Sequence, residues 1–230
     1  MIKISYLITV HNEATELKVL LEKLYKVIAG TDDEIVILDD FSTDEETKKL
    51  LVFHQLFSTS SVLGRVVQHK LDGDFGAHKT FGSRQCKGDY IVQLDADEYL
   101  SDALAANLHE LIESNTEVEL YRVPRVNIVR GMTDRDAQTW GWHVCKLPEF
   151  GDLPIINWNS GDHQARIYKN DERIYWHKKL HETITGANGV AVLPLEVDYA
   201  IIHDKTIDRQ RAQNEFYNKN WTQQANMGGG

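Results

Sequence analysis

Apolar and polar positions fall into blocks along the first hundred residues, and the blocks carry two different periods. Residues 2–10 (IKISYLITV) form a β-branched apolar run with little polar alternation, as in a strand buried on both faces. His11, Asn12 and Glu13 break the run, and Leu17, Leu20, Leu21, Leu24 and Ile28 then recur at helical spacing as far as Gly30. Residues 34–38 (EIVIL) predict a second buried strand that ends at Asp39 and Asp40. Ser42 with Glu45 predicts a capping box for a helix carrying Leu50, Leu51 and Leu56. A short strand at 65–68, a helix from Gly76, a strand at 90–94 and a helix opened by Ser101 complete the series. Strand and helix alternating at this spacing predict an α/β domain, a mostly parallel sheet with helices on both faces.

Beyond Leu100 the pattern loosens. Residues 119–129 predict one long strand, 164–168 and 200–203 two short ones, and 208–221 a polar closing helix. Between them Trp140, Trp142, Trp158 and Trp176 are scattered through segments containing Gly, Pro and Asn. This half is expected to extend the same sheet with loops, making one domain of residues 1–226 and a short tail of 227–230.

Composition narrows the class. Hydrophobic residues at 42% and charged residues at 26% suit a globular chain with a sizeable core. A formal charge of -10 argues against a surface that coats DNA. Cys86 and Cys145 lie far apart without CxxC or zinc spacing, which fits a reducing compartment and no disulfide framework. No apolar run reaches membrane-spanning length, and MIKISYLITV lacks the basic start and cleavage site of a signal peptide.

Ligands of open parallel sheets bind at the carboxyl ends of the strands. Three predicted strands deliver acids there: Glu13 after the first, Asp39 and Asp40 after the second, and Asp95, Asp97 and Glu98 after the fourth. Any one of these alone also fits a helix cap, where the macrodipole favours an acid. Together they gather like charge at one edge, and a cation is expected to join them. Asp-Ala-Asp at 95–97 offers two hard oxygen donors in one turn, which suits Mg²⁺ or Mn²⁺. His177 and His181 stand at i, i+4, but without HExxH or a third ligand they do not predict zinc. Arg122, Arg125, Arg130 and Arg135 form the marked basic cluster. Strand parity opposes Arg125 to Arg122 and Arg130, which favours solvated surface over one patch.

In this order, ITVHNE, ILDDFSTD, FGAHKTFG and GDYIVQLDADE resemble the nucleotide-sugar half of family 2 glycosyltransferases, which have the GT-A fold. NWNSGDHQARIYKN, WHKKLHE and YAIIHDKT resemble the acceptor side of a subgroup that includes lipopolysaccharide-core glucosyltransferases. PRVNIVRG and HDKTIDRQ resemble glycosyltransferases of tailed phages. The likeness covers residues 2–221. It implies a Rossmann-like GT-A domain whose nucleotide-sugar half is residues 1–100 and whose acceptor half is 101–226. The implied reaction moves a sugar from a nucleoside diphosphate, with UDP expected, to a hydroxyl with inversion. The acceptor would be a saccharide or a hydroxymethylated base of phage DNA, and the setting the cytoplasm, in the second case of an infected bacterium.

The resemblance also implies roles. Val10, Asn12 and Glu13 would line the nucleoside pocket, and Asp39 or Asp40 would contact the uracil or ribose. In the Asp-Ala-Asp turn, Asp95 would sit near the ribose or the metal, and Ala96 would belong to the nucleotide-sugar-binding residues. Asp97 would be the direct ligand of Mn²⁺ or Mg²⁺, and His203 a further metal or diphosphate contact. Lys79 stands where the pattern commonly has Arg, so a point charge replaces a bidentate fork. Arg166 would reach the diphosphate or an anionic acceptor, or else pair with a surface acid. Glu182, in LHE, would take the acceptor's proton, or else pair with His181 or an Arg and only shape the pocket. Two other classes are weighed against this one. A nucleotidyltransferase would open with a Gly-rich basic loop, which VHNEATEL is not; a carbohydrate-binding protein would bind without turnover.

Overall fold

The computed structural model describes residues 2–57 and 63–220. Residues 1, 58–62 and 221–230, which include Trp221 of the expected closing helix and the expected tail, lie outside the described residues. The first half reads β1 (Ile4–Val10), α1 (Ala14–Val27), β2 (Glu34–Asp39), α2 (Glu45–Phe57), β3 (Leu63–Gln68), α3 (Phe75–Ser83) and β4 (Tyr90–Asp95). The second reads β5 (Glu98–Leu100), α4 (Asp102–Glu113), β6 (Leu120–Arg130), α5 (Asp134–Trp140), β7 (Val144–Cys145), β8 (Ile155–Ile156) and β9 (His163–Lys169). It closes with β10 (Tyr175–His177), β11 (Thr183–Thr185), β12 (Val190–Val192), β13 (Ile201–Thr206) and α6 (Ile207–Asn220).

One mixed sheet runs β3-β2-β1-β4-β9-β6-β13-β5. The four strands of the first half are parallel, and β9 joins the halves by pairing antiparallel with both β4 and β6. The β6–β13 pair is parallel again. Along β1, Ile4, Tyr6, Ile8 and Val10 pack with Leu17, Leu20, Leu21 and Leu24 of α1, while Leu7 joins Val36, Leu38 and Ile91 on the opposite face. Covered faces explain the absence of polar alternation, and each such side chain contributes about 1.5–3 kcal/mol by leaving water.

Register sets the site. Val10 is level with Asp39, and Thr9 with Asp95, so the acid-bearing ends of β1, β2 and β4 reach the same edge. The loops after them cross-link. Asn12, at φ 56°, accepts from the backbone N–H groups of Thr43 and Asp44 through its side-chain oxygen. Ser42 Oγ accepts from Asn12 N instead of capping α2; that task falls to Asp44, whose Oδ1 accepts from Thr47 N at 2.8 Å. Ser101 does cap its helix, accepting from Leu104 N.

Candidate active site

A cavity of about 520 Å³ lies at the carboxyl edge of β1 and β4, and residues 180–182 form part of its lining. Its walls carry acids and bases in alternation, and hydrogen bonds join them into one chain.

Asp95, the last residue of β4, accepts from Thr9 Oγ1 at 2.8 Å, Gln93 Nε2 at 3.1 Å and Arg166 Nη2 at 2.9 Å, and Lys79 Nζ stands 3.2 Å away. Burial alone would raise its pKa; Lys79 and Arg166 overrule that and hold it well below the usual carboxylate range. Asp95 is therefore paired with two cationic side chains, and its negative charge still reaches Asp97. Arg166 is buried against Asp95 and Glu98, the second at 2.8 Å. Glu98 also receives Arg125 Nη1 at 3.2 Å, so the expected basic cluster splits: Arg125 turns inward, while Arg122 and Arg130 remain exposed.

Asp97 faces a different set of partners. His203 Nε2 lies 3.2 Å from its Oδ2, and Arg209 Nε lies 3.4 Å from the same oxygen. Arg209 also pairs with Glu13 and Glu16. Burial raises the Asp97 pKa, and the charge of and hydrogen bond from His203 more than offset it, leaving it lowered. One carboxylate oxygen and one imidazole nitrogen at a cavity wall are a donor set that Mg²⁺ or Mn²⁺ accepts, with water and phosphate oxygens filling the other positions. Among the described residues no three His, Cys, Asp or Glu side chains converge to hold a metal.

Glu182 reaches the cavity from the loop between β10 and β11. Its Oε1 accepts from Lys79 Nζ at 2.7 Å, and its charge also reaches Arg166. Desolvation pushes its pKa up, and Lys79 more than reverses the shift. Lys79, itself buried, bridges Asp95 to Glu182 and sits 5.0 Å from the centroid of the Trp176 ring. The packing of α3 on β10 makes this possible. A Cβ on Gly76 would stand 2.5 Å from the carbonyl oxygen of Lys178, so only glycine lets the helix approach so closely.

Of the other expected residues, Val10, Glu13 and Asp40 line the cavity. Asp39 is buried, accepting from Ser42 N and Gln68 Nε2, and Asn12 and Ala96 brace the loop and the turn. His177 lies on β10 and His181 in the following loop at φ 51°, so they do not share a helix. Lys205, Arg125 and His78 also line the cavity and were missed. Strand parity offered a signal for Lys205, which is two residues beyond His203 and on the same face of β13. Burial pulls its pKa down to about 8.

The description "Glycosyl transferase family 2" matches residues 5–165. A poly(ribitol-phosphate) beta-glucosyltransferase of Bacillus spizizenii is 28% identical over 127 residues, which is 54% of this chain and 20% of that enzyme. Residues 1–349 of S. aureus TarS share the fold with a TM-score of 0.57 and 16% identity, over 94% of this chain and 62% of that one. The same TarS fragment in complex with UDP-GlcNAc gives 0.56 at 16% identity, over 87% and 58% of the two chains. GalNAc-T7 with UDP, GalNAc and Mn²⁺ gives 0.51 at 15% identity, over 89% and 44%. The chain thus spans about a fifth of the Bacillus enzyme and about three fifths of the TarS fragment.

Proposed function

The chain belongs to glycosyl transferase family 2, and from that premise we propose that it moves a sugar from a nucleoside diphosphate, best matched by UDP, to an acceptor hydroxyl with inversion. One observation carries the reading. A single cavity joins the acidic strand ends, the Asp97–His203 pair and, through Lys79, the carboxylate of Glu182.

In this reading Asp40, Glu13 and Val10 line the nucleoside end of the cavity. Asp97 and His203 hold Mn²⁺ or Mg²⁺, in keeping with the Mn²⁺ in the GalNAc-T7 complex. When bound, such an ion neutralises the diphosphate as its bond to the sugar breaks. Lys205 and Arg209 add positive charge at the same end. Glu182 takes the proton of the acceptor hydroxyl as its oxygen bonds the anomeric carbon, and the electron pair of the broken bond leaves with the diphosphate. Lys79 keeps Glu182 ionised until then. Asp95 and Arg166 act as the frame that fixes Lys79. Of the two acceptor classes, the net charge of -10 favours a saccharide over a base in DNA.

The test follows UDP release from a panel of UDP-sugars with Mn²⁺, comparing wild type with Asp97→Ala and Glu182→Gln. Both variants are expected to lose at least about 100-fold in rate. Metal-dependent release that survives Asp97→Ala would overturn the site. Donor binding without release by the wild type, over a broad panel of acceptors, would favour a carbohydrate-binding protein.

A further inference from the structure

Behind the Asp97–His203 pair runs a line of hydrogen bonds that the proposed reaction leaves unused. Asn127 on β6 and His203 on β13 are direct partners in the parallel register. Asn127 Oδ1 lies 2.8 Å from His203 Nδ1, and Asn127 Nδ2 donates to Asp162 Oδ2, also at 2.8 Å. Asp162 is held in turn by Arg125, whose Nε donates at 3.0 Å, and by Gln164. Burial would raise the Asp162 pKa, but Arg125, Asn127 and Gln164 keep it lowered.

An ionised carboxylate only accepts hydrogen bonds, so the Asn127 group facing Asp162 is the NH₂. Its carbonyl oxygen then faces the imidazole, and it too only accepts. His203 Nδ1 must carry the hydrogen. In the neutral ring this leaves a bare lone pair on Nε2, directed at Asp97 Oδ2 across 3.2 Å. The hydrogen bond from His203 to Asp97 described above belongs to the doubly protonated ring, which keeps the same hydrogen on Nδ1. A second ring proton satisfies the two atoms when no ion is present, and a divalent cation that takes its place meets a nitrogen and an oxygen donor already facing each other.

We propose that Asn127 is a positioning residue for the cation edge: oriented by Asp162, it fixes His203 as the Nδ1–H tautomer and so keeps Nε2 available as a ligand beside Asp97. The inference rests on the reading that Asp97 and His203 share a divalent ion. Outer partners of metal-bound histidines are worth about 10–100-fold in metal affinity, and that is the scale expected here.

The experiment uses the full chain with ¹⁵N-labelled histidine at pH 8 and needs no turnover. Proton–nitrogen correlation across the ring reports which nitrogen of His203 is protonated, with His203→Gln identifying the signals. Mn²⁺ binding in the presence of UDP is read from loss of the free-ion electron paramagnetic resonance signal. The wild type is expected to have a protonated Nδ1 and a bare Nε2. Asn127→Leu is expected to lose that preference and to bind Mn²⁺ about 10–100-fold more weakly. Asn127→Val, which likewise offers Nδ1 no acceptor, replaces the leucine variant if thermal melting shows that it does not fold. A wild-type Nε2–H tautomer, or Asn127→Leu with unchanged tautomer and Mn²⁺ affinity, would overturn the positioning role alone. A wild type that binds no Mn²⁺ with UDP would remove the cation reading and the role that depends on it.

Discussion

Lys79 concentrates the electrostatic logic of the site in one side chain. Buried, it lies 3.2 Å from Asp95 and 2.7 Å from Glu182, two carboxylates that would otherwise face each other out of water. Desolvation works against its charge, and the two acids more than compensate, so its pKa is raised. Lys79→Met is expected to destabilise the fold by about 2–4 kcal/mol at pH 7, because it leaves the carboxylate of Glu182 without its ammonium while Asp95 keeps Arg166. Urea unfolding of the two proteins measures it, and a loss below about 1 kcal/mol would mean that water replaces the ammonium. The residue types at this site were readable from their motifs, but their pairing was not. Glu182 and Lys79 are 103 positions apart, and nothing in LHE or AHK marks them as neighbours. Asp39 and Asp40 could not be separated for a similar reason. Asp39 ends β2 with its side chain tied to Ser42 and Gln68, while the next residue turns to the cavity, and only the chain's exit from the strand decides which is which.

At the scale of elements, the strands with both faces covered were the legible ones. β1, β2 and β4 appear within a residue or two of their expected bounds, since a short β-branched run between turn residues fits little besides a strand covered on both sides. The two- and three-residue strands β5, β7, β8 and β10–β12 carry no period to read, and their positions depend on partners far away in sequence. Helix starts were legible where a single side chain makes the cap. Ser101 is such a case, and it has a second duty: its Oγ accepts from Leu104 N and donates to the carbonyl of Asp198. That bond ties α4 to the segment leading into β13, the strand that carries His203. Ser101→Ala is expected to cost about 1–2 kcal/mol, the value of a cap plus a buried hydrogen bond. Chemical denaturation gives the number. Amide exchange is expected to rise in the first turn of α4 and at 197–200 together, and a rise confined to the helix would show that the tie contributes nothing.

For the molecule as a whole, acid sensitivity has two separable sources. Asp95, Asp97 and Glu182 have lowered pKa values against the pull of burial, so their contribution is intact above the unfolded carboxylate range and is lost as pH falls below about 4. His78 acts earlier. Burial first, and the neighbouring His69 second, push its pKa from 6.5 down to about 4. His69 Nδ1 stands 3.1 Å from His78 Nδ1, and Phe81 stacks on His69 with ring centroids 4.0 Å apart, so the pair has little room to hydrate an added charge. Between about pH 6.5 and 4 the unfolded chain binds a proton that the folded chain refuses, and stability falls as pH is lowered through that window. The full shift corresponds to roughly 3 kcal/mol as an upper bound, and relaxation of the site around an added proton reduces the expected effect to ~1–2 kcal/mol. His78→Gln removes this source and leaves the carboxylates in place. Urea unfolding at pH 7 and pH 4.5 should therefore show the wild type losing about 1–2 kcal/mol more than the variant over that interval. Equal losses would mean that the folded chain admits the proton, and that the cavity end formed by His78 and Asp40 is wetter than its packing implies.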